Sequence, residues 1–257
     1  MAELENVMEA GFAQSEIIVI PIIDVSGSMS GERIGMVNDA MSEVPEQLNA
    51  INDGLIDTRL LIAPMEFSSG ASWFQLHNGE PAEVDTFVWR DMQASGLTDM
   101  GEAFKLLTEK LTVKEKGGWM SGRGGMAPIL ILISDGGPTD NYKPQLEILK
   151  KRGWFRAAHK FAVAVGDADK EVLKEFCGFD EAVIDTNVIR NNLSSIIKAV
   201  VVTASSCVSQ SASTVSGGNK PQTVVDDCPD VNEENQKEVI QAVTDELITM
   251  DNTDDLF

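Results

Sequence analysis

Short continuous apolar runs alternate along the chain with longer stretches in which apolar positions recur every third or fourth residue. The first continuous run, Ile17–Ile23, is apolar on both faces, as a strand buried between two layers must be. Pro21 lies inside it and has no N–H to give to a ladder, so the pattern predicts local irregularity or a short regular part. From Gly31 to Asn52 the apolar positions Ile34, Val37, Met41, Val44, Leu48 and Ile51 keep helical spacing, with a kink expected at Pro45. Thr58–Phe67 predicts the next strand, and residues 71–90 a short edge strand with its return loop. Met100, Ala103, Phe104, Leu107 and Leu111 mark a second helix. Residues 117–126, GGWMSGRGGM, hold five glycines and predict a mobile loop. Pro128–Ser134, PILILIS, is the most apolar strand of the chain. Helices near Pro144–Phe155 and Asp169–Cys177, strands at Lys160–Val165 and Ala182–Ile184, and a helix from Asn191 to about Ser205 complete the series. No internal repeat is visible, and the alternation predicts an α/β fold around a mostly parallel sheet.

After about Ser205 the composition changes. Residues 209–222 are rich in Ser, Gly, Thr and Gln, which is linker chemistry. Residues 223–257 carry eleven acids against one base, Lys237. Asp230 followed by Glu233 resembles a capping box, and Val239, Ile240, Val243, Leu247 and Ile248 then form one apolar stripe, predicting a helix over about Val231–Met250. We therefore expect a main domain over residues 1–208 and, over 209–257, a linker with an acidic arm that docks its helix on the domain or on a partner. The whole chain of 257 residues has a formal charge of −21, which disfavours nucleic acid and anionic membranes as partners. No stretch is apolar enough to predict a membrane span, and MAELENVMEAGF has acids where a signal peptide needs positive charge. The cysteines Cys177, Cys207 and Cys228 show no CxxC spacing, so reduced thiols in a cytoplasmic protein are expected.

The chemistry lies in Asp24-Val25-Ser26-Gly27-Ser28, directly after the first strand, where an open α/β sheet places its ligands. A carboxylate and two hydroxyls at i, i+2 and i+4 form an oxygen-only set, which suits a hard divalent cation. Thr98, before the second helix, and Asp135, after PILILIS, add matching chemistry from two further loops. The plainer readings are a polar turn capping a helix at Asp24, Ser26 and Ser28, and an ordinary strand-end turn at Asp135-Gly136. Thr139 and Asp140 read as hydrogen-bonding loop residues, and His77 and His159 as surface or packing residues. The glycine segment 117–126 lacks the Gly-Lys-Ser/Thr of a phosphate-binding loop.

DxSxS after a buried strand, a Gly-x-Thr loop midway and Asp-Gly after a second buried strand together resemble the metal-ion-dependent adhesion site of von Willebrand factor A domains. DVSGSMSGERI, LISDGGPTD and FAVAVGDADKEVLKEF resemble, more narrowly, the bacterial TerY/YegL-type A domains linked to tellurium resistance and chemical stress, over roughly residues 15–205. The resemblance implies a three-layer Rossmann-like fold with one antiparallel edge strand and helices on both faces. It implies one divalent cation, Mg2+ with Mn2+ or Ca2+ as alternatives. Ser26 and Ser28 would bind it through their hydroxyls, Asp24 and Asp135 directly or through water, and Thr98 according to conformational state. It implies no enzyme, but an interaction module whose partner offers a Glu or Asp to the metal, in a system with a protein kinase and a metal-dependent protein phosphatase. The alternatives are an adaptor for an AAA+ ATPase and a phosphohydrolase of the haloacid-dehalogenase kind. The latter needs a second Asp where this chain has Ser26.

Overall fold

The computed structural model describes residues 15–55, 58–122, 125–187, 193–214, 228 and 232–254. In chain order the strands and helices are β1 (Ser15–Asp24), α1 (Glu32–Asn52), β2 (Thr58–Ile62), β3 (Met65–Ser68), β4 (Gly70–Trp73) and β5 (Ala82–Glu83). There follow α2 (Met100–Lys110), β6 (Ile129–Ser134), α3 (Lys143–Lys150), α4 (Gly153–Ala157) and β7 (His159–Ala164). The series ends with α5 (Lys170–Cys177), β8 (Val183–Asp185), α6 (Leu193–Thr214) and α7 (Glu233–Asp254).

The most apolar runs take the centre. Every residue of β6, and of β1 from Glu16 on, is buried. The sheet runs β4-β3-β1-β6-β7-β8, with β2 beside the first half of β1 and β5 beside β2. All pairings are parallel except β3 with β4 and β2 with β5. Strands apolar on both faces need a helical layer on each. In one layer α1 packs on α6. In the other, α2 packs on α3, and Phe104 of α2 stacks on Phe176 of α5, which meets Phe155 of α4 edge-on.

Pro21 is accommodated by a break in its neighbour. The Val19 carbonyl accepts from Ala63 N–H, and Val25 N–H donates to the Phe67 carbonyl, each at 2.9 Å. Residues of this parity turn their backbone groups towards β2 and β3, so the missing N–H of Pro21 faces that side. It falls between the pairs Val19↔Ile62 and Ile22↔Met65, where Ala63 and Pro64 divide the expected strand Thr58–Phe67 into β2 and β3. The ladder to β6 is continuous past it, from Val19↔Ile129 to Ile23↔Ile133.

Several expectations are corrected. The expected helix near Pro144–Phe155 is two, α3 and α4. The segment expected as a mobile loop carries two core residues: Trp119 and Met120 are buried. Trp119 lies 4.3 Å from Trp73 ring to ring and donates through Nε1 to the Gly79 carbonyl at 3.1 Å. Gly118 permits this, since a Cβ there would lie 2.0 Å from the Thr112 carbonyl oxygen. Residues 123–124 of that segment lie outside the described residues. The helix expected to end near Ser205 continues as α6 to Thr214, beyond the expected domain end at 208. Its expected first residues, 191 and 192, and residues 215–222 of the linker lie outside the described residues.

The acidic arm does form its helix, as α7, and it packs on α6 and β7 of the same chain. The cap is Asn232, whose Oδ1 accepts from Asn235 N–H at 3.0 Å. The expected cap residue, Asp230, lies outside the described residues. Val239, Ile240, Val243 and Leu247 are buried, whereas Ile248 of the expected stripe is 54% exposed. Gln236 Nε2 donates to the carbonyls of Arg156, Ala157 and Ala158 at 3.0, 3.2 and 3.1 Å, tying α7 to the entry of β7.

His159 opens β7 and is buried, with no hydrogen-bond partner for Nδ1 among the described residues. Burial first, and the Lys160 charge second, hold its imidazole down to about 4, against 6.5 ordinarily. His159 is thus neutral in the fold and protonates in the unfolded chain. The resulting stability is complete above the unfolded value and lost as pH falls from about 6.5 towards 4, up to about 3 kcal/mol. Urea midpoints are expected to fall across that window in the wild type and to fall less steeply in His159→Gln. Parallel curves would remove His159 as the cause.

Candidate functional site

β1 and β6 are adjacent and parallel, so their carboxyl ends, Asp24 and Ser134-Asp135, lie side by side at one end of the sheet. After Asp24 the chain turns through Ser26 into a short 3-10 turn, Gly27–Met29, before α1. Asp24 is fully buried, and both its oxygens are engaged. Oδ1 accepts from Ser26 N–H at 2.8 Å and Oδ2 from the Ser134 hydroxyl at 2.7 Å. Ser26 Oγ lies 3.0 Å from Ser28 Oγ, and the Ser28 hydroxyl donates to Asp135 Oδ1 at 2.7 Å. Asp24, Ser26, Ser28 and Asp135 therefore form one hydrogen-bonded chain, buried at Asp24 and Ser26 and open to solvent at Ser28.

The third loop is tied to the other two through backbone. Ser95 N–H donates to the Val25 carbonyl at 2.7 Å, and Gly27 N–H to the Gly96 carbonyl at 3.0 Å. Thr98 N–H donates to Thr139 Oγ1, and Thr139 N–H returns a bond to the Thr98 carbonyl, both at 2.9 Å. Thr98 is buried beside the serines' loop, and its hydroxyl takes no hydrogen bond among the described residues. Four of the five sequence-predicted residues are thus linked directly, and Thr98 joins them through the loop that carries it. Thr139 and Asp140 act as loop hydrogen-bonders, Asp140 Oδ2 accepting from Gly101 N–H at 2.8 Å.

Burial, the largest influence, pushes the Asp24 carboxyl up from its ordinary value, and the Asp135 charge adds to it; the bonds from Ser26 and Ser134 oppose this. Two carboxylates and three hydroxyls are all hard oxygen donors. Among the described residues no three His, Cys, Asp or Glu side chains gather as metal ligands. Any cation here would rest on serine and threonine hydroxyls as much as on carboxylates. The donor chemistry and the buried, crowded negative charge of Asp24 fit a small hard cation.

Two residues escaped the sequence reading. Ser134 fixes Asp24 Oδ2; its position directly before Asp135 at the end of an apolar strand was the available signal. Arg33, in the first turn of α1, pairs its guanidinium with Asp135 Oδ2. No spacing rule pointed to it, because the contact spans 102 positions.

The fold has relatives among solved structures. A von Willebrand factor type A protein from Catenulispora acidiphila superposes with a TM-score of 0.53 at 14% identity, over 76% of this chain and 43% of its own. Proximal thread matrix protein 1 from the mussel byssus, in a structure with a zinc-occupied MIDAS motif, gives 0.52 at 18% identity over 76% of this chain and 48% of its own. The pilus adhesin SpaC from Lactobacillus rhamnosus GG, in its open conformation, gives 0.54 at 12% identity over 78% and 31%. This chain spans less than half the length of each, and at these identities the likeness shows the fold alone. No curated protein matches the chain. The family model of the von Willebrand factor type A domain matches residues 18–200, from β1 into α6, and on that match the chain belongs to the von Willebrand factor type A domain family.

Proposed function

We propose that this chain is a metal-ion-dependent protein-interaction module that holds one divalent cation, Mg2+, at the ends of β1 and β6. The observation that carries the reading is the hydrogen-bonded chain Asp24–Ser26–Ser28–Asp135, with Thr98 on the loop beside it. Ser26, Ser28 and Thr98 would hold the cation through their hydroxyls. Asp135, which accepts from the Ser28 hydroxyl, and Asp24, which fixes the Ser26 turn through its N–H, would act directly or through coordinated water and offset the charge. When bound, the cation supplies a Lewis-acidic position for an acidic side chain of a partner. That allows an acidic protein to take an acidic ligand despite their repulsion. The mussel byssus protein, described with a zinc-occupied MIDAS motif, supports a divalent cation in this reading.

The TerY/YegL resemblance extends the proposal to a cytoplasmic scaffold in a phosphorylation-linked stress system, with a protein kinase and a metal-dependent phosphatase as partners. Among the described residues no helix is long and apolar enough to cross a membrane. The interaction domain, expected over residues 1–208, would run on to the end of α6 at Thr214, and the rest of 209–257 would form its acidic appendage, held through α7. Calorimetry of the full chain is expected to show one site for Mg2+ or Mn2+, and the protein is expected not to hydrolyse p-nitrophenyl phosphate with Mg2+ present. No heat of cation binding would overturn the metal reading. Turnover lost in Asp24→Asn would replace the module by an enzyme.

A further inference from the structure

Arg33 sits where its charge is least welcome on helical grounds. It lies in the first turn of α1, whose N-terminal dipole disfavours a cation. It is nevertheless held from three sides. Its guanidinium pairs with Asp135 Oδ2, and Nη1 also reaches the Ser28 carbonyl at 3.4 Å. Its other edge lies against Gly166, after β7, where φ is +62° and a Cβ would come within 2.8 Å of Nη2 and 3.3 Å of Cζ. Gly166 is itself fixed: its N–H donates to Thr186 Oγ1 at 3.2 Å, and its carbonyl accepts from Asn187 Nδ2 at 2.6 Å. The fold has thus built a slot for this guanidinium between the end of β6 and the loop after β7, with one face left in solvent.

From this placement we infer that Arg33 is a resident competitor for the divalent cation, a positive charge of the chain's own that neutralises Asp135 and raises the cation concentration at which the site fills. The inference rests on the metal reading proposed above. Asp135 offers two oxygens: Oδ1 accepts from Ser28 and Oδ2 serves Arg33. A divalent ion at the serine hydroxyls would meet the guanidinium on the other side of the same carboxylate. It would be repelled by it, and would share a counter-charge already half used. Without Arg33, Asp24 and Asp135 would face each other with no positive group bonded to either. The bare site would be less stable and the cation better bound. The arrangement sets a threshold: the site stays intact in either condition, but occupancy responds to the cation level.

The test is Mn2+ calorimetry on the full chain, with melting curves in EDTA and in saturating Mn2+, for wild type, Arg33→Gln and Arg33→Lys. Arg33→Gln is expected to bind Mn2+ roughly tenfold more tightly at low ionic strength, with the gain shrinking in high salt as screening takes over. It should melt below wild type in EDTA and draw level in Mn2+. Arg33→Lys, which keeps the charge, should stay near wild type in affinity. Arg33 is 42% exposed, so its loss does not threaten folding. If wild type binds and Arg33→Gln binds no more tightly, Arg33 merely positions Asp135 and the competitor role falls. If neither binds, the metal reading fails and takes this inference with it.

Discussion

Asp24→Ala is expected to weaken cation binding severely, with affinity for Mg2+ or Mn2+ falling by about 10–100-fold, the scale on which loss of a carboxylate supporting a metal's ligands operates. The side chain holds two of the loops that build the site. Its Oδ1 sets the turn at Ser26, and its Oδ2 anchors Ser134 and so the start of the Asp135 loop. Removing it strands the buried N–H of Ser26, at about 1–3 kcal/mol for the unsatisfied group, and leaves the Ser134 hydroxyl only its bond to the Gly136 carbonyl at 3.2 Å. Against that stands relief from keeping a buried carboxylate beside Asp135, so the net loss of stability should be smaller than the sum. Ser28→Ala separates the two effects. Ser28 is exposed, and its loss should weaken the cation severely while moving stability by less than about 1 kcal/mol. Calorimetry paired with urea denaturation measures both. Unchanged binding in Asp24→Ala would remove these residues as the site.

Deleting everything after Thr214 should give the largest loss of stability of any change considered. It removes α7, and with it the burial of Val239, Ile240, Val243 and Leu247. Each such side chain is worth about 1.5–3 kcal/mol when buried. The deletion also removes α7's packing from α6 and the Gln236 bonds to the carbonyls of Arg156, Ala157 and Ala158, the last of which keeps its bond from Lys160. A loss of about 5 kcal/mol in a protein of this size lowers the melting temperature by roughly 10–20 °C. Val243→Asp should give a milder form of the same result. α7 meets the chain at the entry of β7, the end of the sheet away from Asp24 and Asp135. Cation affinity, measured well below the new melting point, should therefore be retained. An unchanged melting temperature would show that α7 adds nothing to the domain.

The elements that could be read from sequence were those whose pattern has one cause. PILILIS is apolar throughout because β6 is covered on both faces, and the apolar spacing of 31–52 follows directly from α1 packing on one side. The chain runs through Pro45 as a single helix because losing one backbone donor is tolerable inside twenty-one residues of otherwise regular structure. The misreadings came from residues whose chemistry serves two ends. Small polar residues near Ser205 and Ser209 suit a linker, but they also continue a helix when Ala204 and Val208 can be buried against a neighbour. The glycines around Trp119 suggest freedom, yet Gly118 is there because nothing larger fits beside Thr112. At the site, DxSxS and Asp135 could be found because they follow strands, and Thr98 because it stands just before a helix. Arg33 could not, since its role depends on β6 and the loop after β7 arriving beside α1.

The sheet ends on one side in β8, only three residues long, and on the other in β4, a four-residue strand that runs against its neighbour. β5 covers Leu61 and Ile62 along the margin of β2. Such margins offer an incoming chain little unpaired backbone to template on, and a molecule carrying −21 repels its own copies before they can align. Growth by strand exchange or cross-β stacking is therefore poorly supported along the described sheet, even though its interior strands are as apolar as those of many fibre-forming segments.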